Sequence, residues 1–249
     1  MSKKIDRSRI DDYLDESYYR VQLESYHSRH LRDQFNNIME LVSPYEEEYI
    51  LDIGTGSGKY PARMSFTAYL TATDFSPVSA KLARRTGNEI GKPDRMHFVQ
   101  TRGQHLPFAA NSYDKVTALD VVEHVNQEEY EAIVDDVFRV LRPGGMFCIY
   151  TPNKTYWIEY IYFLIYGRSI SPLHFGLKRE RELLSPLRTA GFHVQDVYYR
   201  PNYPPVMQQL ERLIIPLPLI GQFARRRICV RALKPEGQGT TSQKQSGQS

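Results

Sequence analysis

Ile50-Leu51-Asp52-Ile53-Gly54-Thr55-Gly56-Ser57-Gly58 decides the fold. Tyr49 to Ile53 reads as a buried strand that runs straight into glycines. Such a junction puts backbone N–H groups and a helix start at the carboxyl edge of a parallel sheet, where open α/β sheets take their ligands. Glycines let the backbone approach a cofactor closely and supply positive φ values. Twenty residues after Gly54, Asp74 closes a second apolar run, Tyr69 to Thr73, where a carboxylate suits ribose hydroxyls. Spacing separates two kinds of cofactor site. A dinucleotide fingerprint, G-x-G-x-x-G, needs its third glycine at position 59, which is Lys59; here the third glycine is Gly58.

Outward from this turn, short apolar runs alternate with helical patterns, the sign of βαβ units. Ser76-Pro77 opens a helix as N-cap and first-turn proline. Met96 to Gln100 and Lys115 to Leu119 are the third and fourth strands, followed by a helix from Gln127 to Leu141. Pro143-Gly144-Gly145 reads as a turn before a fifth strand, Met146 to Thr151. A helix from Arg179 to Ala190, capped by Gly191, precedes two more strands, Phe192 to Tyr199 and Arg227 to Leu233. The expectation is an α/β protein in which residues 1–234 form one domain, opened by an amphipathic helical region at 10–42. Residues 235–249 are rich in Gly, Gln, Ser and Thr and read as a disordered tail.

Composition excludes several classes. The 249 residues carry 32 Lys and Arg against 29 Asp and Glu, a balance lacking the dense basic footprint of a nucleic-acid binder. Two cysteines, Cys148 and Cys229, support neither a disulfide scaffold nor a Cys-rich zinc module. The charged N-terminal sequence has no secretory leader pattern, and no apolar run is long enough to cross a bilayer, so a cytoplasmic protein is expected.

Seven motifs in order then resemble the class I S-adenosylmethionine-dependent methyltransferases, in the small-molecule branch that contains quinone-biosynthesis enzymes. They are Leu-Asp-Ile-Gly-Thr-Gly-Ser-Gly (51–58), Thr-Asp-Phe-Ser (73–76), Leu-Pro-Phe (106–108) and Tyr-Asp-Lys-Val (113–116). Val-Val-Glu-His-Val (121–125), Leu-Arg-Pro-Gly-Gly (141–145) and Thr-Pro-Asn (151–153) complete the set. The resemblance implies a Rossmann-like three-layer sandwich whose seven-stranded, mostly parallel sheet has an antiparallel last strand. It implies S-adenosyl-L-methionine as cofactor. By position, Asp52, Gly54, Thr55, Gly56 and Gly58 face its methionine end, Asp74 takes the ribose, and Phe75 lies against the adenine. Gly103 and Gln104 border the adenine edge, and Asp120 closes the site from the fourth strand. Arg102 stands where relatives carry an acidic residue, which shifts adenine recognition toward backbone groups or Gln104.

Methyl transfer from a sulfonium needs a positioned nucleophile and, for a hydroxyl acceptor, a base; no metal is required. His124, after the fourth strand with Glu123 beside it, is the leading base candidate, and His174 in Pro-Leu-His-Phe is the second. Each has a plainer alternative, a wall or cap residue for His124 and an ordinary loop histidine for His174. His27 and His30, three apart, lack a third ligand for a metal. Tyr18, Tyr19 and Tyr26 are candidates for a lid.

The acceptor is expected to be a small molecule. The segment 154–178 is read as a substrate cap, and within it Tyr156 to Tyr166 is apolar on almost every helical face. Either this helix packs on the sheet as a lid, or it meets a hydrophobic or lipid-linked acceptor at a membrane surface. The greasy stretch Ile214 to Ile220, followed by Arg225-Arg226-Arg227, suits the second reading. Ala118-Leu119-Asp120-Val121 replaces the Asn-Pro-Pro-Tyr type motif of base-methylating relatives, so no nucleic-acid partner is expected. O-methylation comes before C-methylation because His124 offers a base. The rivals are a cofactor-binding protein without turnover and a nicotinamide-dependent oxidoreductase, which Lys59 argues against.

Overall fold

Alternation along the strands builds the sheet. The computed structural model describes residues 29–167, 169, 171, 173–200 and 205–236. In chain order they form α1 (Arg29–Val42), β1 (Tyr49–Ile53), α2 (Lys59–Met64), β2 (Tyr69–Asp74) and α3 (Pro77–Ile90). Next come β3 (Met96–Gln100), β4 (Tyr113–Leu119), α4 (Gln127–Val140), β5 (Leu141–Pro152) and α5 (Trp157–Tyr166). The chain ends in α6 (Glu180–Thr189), β6 (His193–Arg200), α7 (Pro205–Ile214), α8 (Gly221–Ala224) and β7 (Arg227–Leu233). Tyr18, Tyr19, Tyr26 and His27 lie outside the described residues, as do the first part of the 10–42 region and nearly all of the tail; the side chain of His30 is also outside them.

All seven strands share one sheet in the order β3-β2-β1-β4-β5-β7-β6. The first five pair in parallel, and β7 runs antiparallel to both its neighbours. Side chains alternate between two cores, one on each face. Leu51, Ile53, Val116, Ala118, Phe147, Ile149 and Val230 meet α4 and α6 through Ile133, Val134, Val137 and Leu183. Ile50, Leu70, Cys148, Tyr150 and Cys229 meet α1 and α2 through Ile38, Leu41, Tyr60 and Met64. Each large apolar side chain fully removed from water contributes about 1.5–3 kcal/mol. This is the Rossmann-like α/β arrangement that the motifs imply. Cys148 and Cys229 are free and buried, and burial pushes both thiols up to about 12, so neither is a nucleophile at neutral pH.

The helix starts follow local rules. The Ser76 hydroxyl accepts from the Ser79 N–H with Pro77 in the first turn, and Asn126 and Glu129 cap α4 reciprocally. Two expectations change. Pro143-Gly144-Gly145 does not separate helix from strand but lies inside β5. Tyr113 pairs with Leu141 and Lys115 with Met146, so residues 142–145 bulge opposite Asp114 alone. Asp114 holds the bulge through Arg142. The second change concerns α5. It forms as a helix, but none of its residues is buried. Phe163, Leu164 and Ile165 are 54%, 66% and 65% exposed, so the reading of a lid packed on the sheet does not hold for this helix.

Candidate active site

The turn after β1 needs glycine for two reasons. Gly54, Gly56 and Gly58 have φ of 67°, 54° and 77°, the left-handed region that side chains disfavour. A Cβ on Gly54 would lie 2.6 Å from Val121, and one on Gly58 would lie 2.6 Å from the Cα of Ala83 in α3. The Thr55 N–H donates to Thr73 O at 2.8 Å, which ties the turn to β2.

Asp74, at the end of β2, organises this turn. Its Oδ2 accepts from the Gly56 N–H and its Oδ1 from the Ser76 N–H, both at 2.9 Å. The Ser79 side chain and the Phe75 backbone also hydrogen-bond this carboxylate, which ends β2 beside the glycine turn, where a ribose would lie. Asp52 lies beneath the turn, buried, and accepts from the Thr117 hydroxyl of β4. Burial pushes its carboxyl up to about 7, with Asp74 adding to the rise and the Thr117 hydrogen bond opposing it. Phe75 stands exposed at the rim with the Arg102 guanidinium 5.9 Å over its ring. Gly103 packs closely enough that a Cβ would meet Ile53 at 3.0 Å, and Gln104 follows it half-buried. An acid ending β2, a left-handed glycine turn and a flat aromatic at the rim fit an adenosyl cofactor.

Across the turn, Asp120 has φ of 59°, a conformation Asp tolerates better than most residues. Its carboxylate accepts from Gln34 Nε2 of α1 at 2.7 Å and Tyr60 Oη of α2 at 3.3 Å, and it pairs with Arg227 of β7. Burial would raise its carboxyl, but Arg227, Lys59 and the two site histidines outweigh this and hold it below the usual range. Gln34, Tyr60 and Arg227 went unrecognised because residues so far apart meet only through the sheet order. The sequence places Arg227 with Arg225 at an expected lipid surface. The structure corrects this, because Arg225 lies 3.6 Å from Glu180 and stacks 4.1 Å from the Tyr199 ring centroid.

The two candidate bases come together. The His124 and His174 rings are 5.2 Å apart between centroids and cross at 72°. His124 Nδ1 is 3.0 Å from Leu173 O, so this nitrogen donates and Nε2 carries the lone pair. Beside them, the buried Glu123 accepts from the Thr151 hydroxyl at 2.9 Å, and burial with nearby Asp120 raises its carboxyl. Burial, with His124 and Arg227 adding to it, pulls His174 down to about 4, so His174 is neutral at pH 7. Its Nδ1 has no hydrogen-bond partner among the described residues. Glu123, His124 and His174 each offer a ligand atom within 4.8 Å of the others. Sequence spacing showed no such set, and it is the group among the described residues that could hold a cation.

Residues 51–149 match the family model described as a methyltransferase domain. Over this segment the chain resembles methyltransferase domains. Among curated relatives, the ubiquinone biosynthesis O-methyltransferase of Xylella fastidiosa (strain 9a5c) is 30% identical over 164 residues, which cover 62% of this chain and 64% of that protein. The demethylmenaquinone methyltransferase of Clavibacter sepedonicus is 34% identical over 109 residues, 43% of this chain and 42% of that protein. An O-methyltransferase of Pyrenophora dematioidea is 28% identical, and the match spans 42% of its length. The chain therefore spans less than half of the length of the latter two relatives. Magnesium protoporphyrin IX methyltransferase from Synechocystis PCC 6803, solved with bound S-adenosylhomocysteine, superposes with a TM-score of 0.67 at 14% identity, covering 92% of this chain and 100% of that one. This last likeness concerns the fold. The resemblance to S-adenosylmethionine-dependent methyltransferases drawn from the motifs is borne out.

Proposed function

We propose that this chain is an S-adenosylmethionine-dependent methyltransferase that methylates a hydroxyl of a small, hydrophobic acceptor. The observation that carries the reading is the meeting of His124, His174 and Glu123 beyond the glycine turn, at the carboxyl edge of a methyltransferase-domain sheet. S-adenosylmethionine, when bound, supplies an already activated methyl group. Gly54, Thr55, Gly56, Gly58 and Asp52 would hold its methionine end, Asp74 its ribose and Phe75, Gly103 and Gln104 its adenine, with Asp120 closing the site from the fourth strand. His124 accepts the acceptor's proton at Nε2, because Nδ1 is committed to Leu173 O. Asp120, held ionised, stabilises the imidazolium that results. His174, held neutral, orients the acceptor hydroxyl without competing for the proton.

A hydrophobic, quinol-like or lipid-linked acceptor is supported by the relatives named for ubiquinone and menaquinone synthesis. The outward-facing α5 supports delivery at a membrane surface by a cytoplasmic protein. Leu213, Leu217 and Leu219 extend this apolar surface, and Tyr160 of α5 meets Phe223 at 6.0 Å. Residues 1–234 act as one domain in this reading, with 10–42 as lid and 154–178 as cap.

The test begins with a thermal-shift titration using S-adenosylhomocysteine and NADH. Stabilisation by about 2.7 kcal/mol at a hundredfold excess over Kd is expected with the adenosyl ligand alone. Methyl transfer to a panel of quinols and catechols follows, and His124→Ala should lower the rate about 10²-fold or more with S-adenosylhomocysteine affinity retained. Full activity in that variant, or stabilisation by NADH alone, overturns the reading.

A further inference from the structure

Lys178 commits all three donors of its ammonium to main-chain carbonyls: Val122 O at 3.1 Å, Val125 O at 2.9 Å and Gly176 O at 2.9 Å. The side chain is buried. Val122 and Val125 flank the Glu123–His124 pair, and Gly176 lies two residues beyond His174. One cation therefore fastens both ends of the turn that carries His124 to the segment that carries His174. Two links lie inside this clamp. The Gly176 N–H donates to Glu123 O at 2.9 Å, and His124 Nδ1 donates to Leu173 O at 3.0 Å. The segments approach so closely that a Cβ on Gly176 would lie 1.9 Å from Val125 O. The ammonium also lies 5.2 Å from the Tyr130 ring centroid, and the Lys178 backbone pairs with Asn153 beyond β5.

Burying an ammonium is costly, and an apolar side chain over Tyr130 would avoid that cost but leave three carbonyls without their donor. We infer that Lys178 is a positioning residue that sets the separation and angle of His124 and His174 through the main chain of the two segments, touching neither cofactor nor acceptor. Its bearing on catalysis rests on the base assigned to His124; the positioning itself does not. Burial lowers Lys178 to about 8, with Glu123 of the turn, Glu182 of α6 and Glu129 of α4 opposing the shift and Lys154 reinforcing it. Above that pH the neutral amine has two donors for three carbonyls.

Histidine ring 15N and 1H spectra test this without an acceptor. Lys178→Gln should bind S-adenosylhomocysteine within about threefold of the parent while both ring signals move and their mutual contact weakens; Lys178→Arg, with several donors, should restore them. Unchanged ring signals and contact in Lys178→Gln overturn the inference. Should that variant not fold, the parent is titrated from about pH 7 to 9.5, and both rings should shift together with a midpoint near 8. Rings that stay constant across that range overturn it equally. If the rings respond as expected but His124→Ala keeps full activity, the base assignment falls and the positioning role stands.

Discussion

Gly58 shows how much a single residue carries. Its φ of 77° and the 2.6 Å approach of its missing Cβ to Ala83 both exclude a side chain. Gly58→Ala is expected to cost about 2–4 kcal/mol, lowering Tm by roughly 5–10 °C in a thermal melt. Asp52 makes a different prediction, in pH. Its native carboxyl titrates at about 7 against the ordinary value of 3.8, so the folded state holds a proton that the unfolded state has released. Stability from this group is therefore full below the unfolded value and falls as pH rises between about 4 and 7. Asp52→Asn should flatten this decline, matching the parent near pH 4 and melting roughly 8–16 °C higher at pH 7 to 8. An unchanged profile in the variant would place the proton elsewhere. At this scale the glycine turn and the place of Asp74 beside it were legible because local spacing encodes them. Lys178, Gln34 and Arg227 were not, because each acts on a partner more than fifty residues away that only the sheet order supplies.

Elements were legible where periodicity was unambiguous. The apolar run Tyr49 to Ile53 before the glycines and the Ser76-Pro77 helix start each have one structural solution, and both formed. The apolar α5 has two solutions, since a helix greasy on every side is satisfied by a core or by another apolar phase. Sequence could not choose between them. In the structure Ile161, Phe163, Leu164, Ile165 and Tyr166 face outward, and Tyr156, just before the helix, is the buried anchor, donating to Glu211 at 2.7 Å. A Phe163→Ser, Leu164→Ser, Ile165→Ser triple variant is therefore expected to keep its Tm within about 2 °C, because exposed positions contribute little to folding. The same variant should lose flotation with phosphatidylglycerol vesicles that the parent retains at low salt. A large drop in Tm would instead make α5 a structural part of the fold.

On the scale of the molecule, residues from α1, α2, the end of β4 and β7 converge on one side of the glycine turn, and the Glu123, His124 and His174 group lies beyond it. Since the assigned proton acceptor is an imidazole, transfer should persist after exhaustive chelation. A loss restored by a divalent cation would reassign Glu123, His124 and His174 as its ligands. The place of β7 also bears on biosynthesis. Among the described residues, the last strand in chain order is an interior one, seated between β5 and β6. Until it arrives, β5 presents a bare edge of backbone donors and acceptors, and β6 has no strand to join. Asp120 meanwhile waits for its arginine. A nascent chain halted before Arg227 would thus hold the whole glycine turn yet lack a finished active site, with an unguarded strand edge open to aggregation.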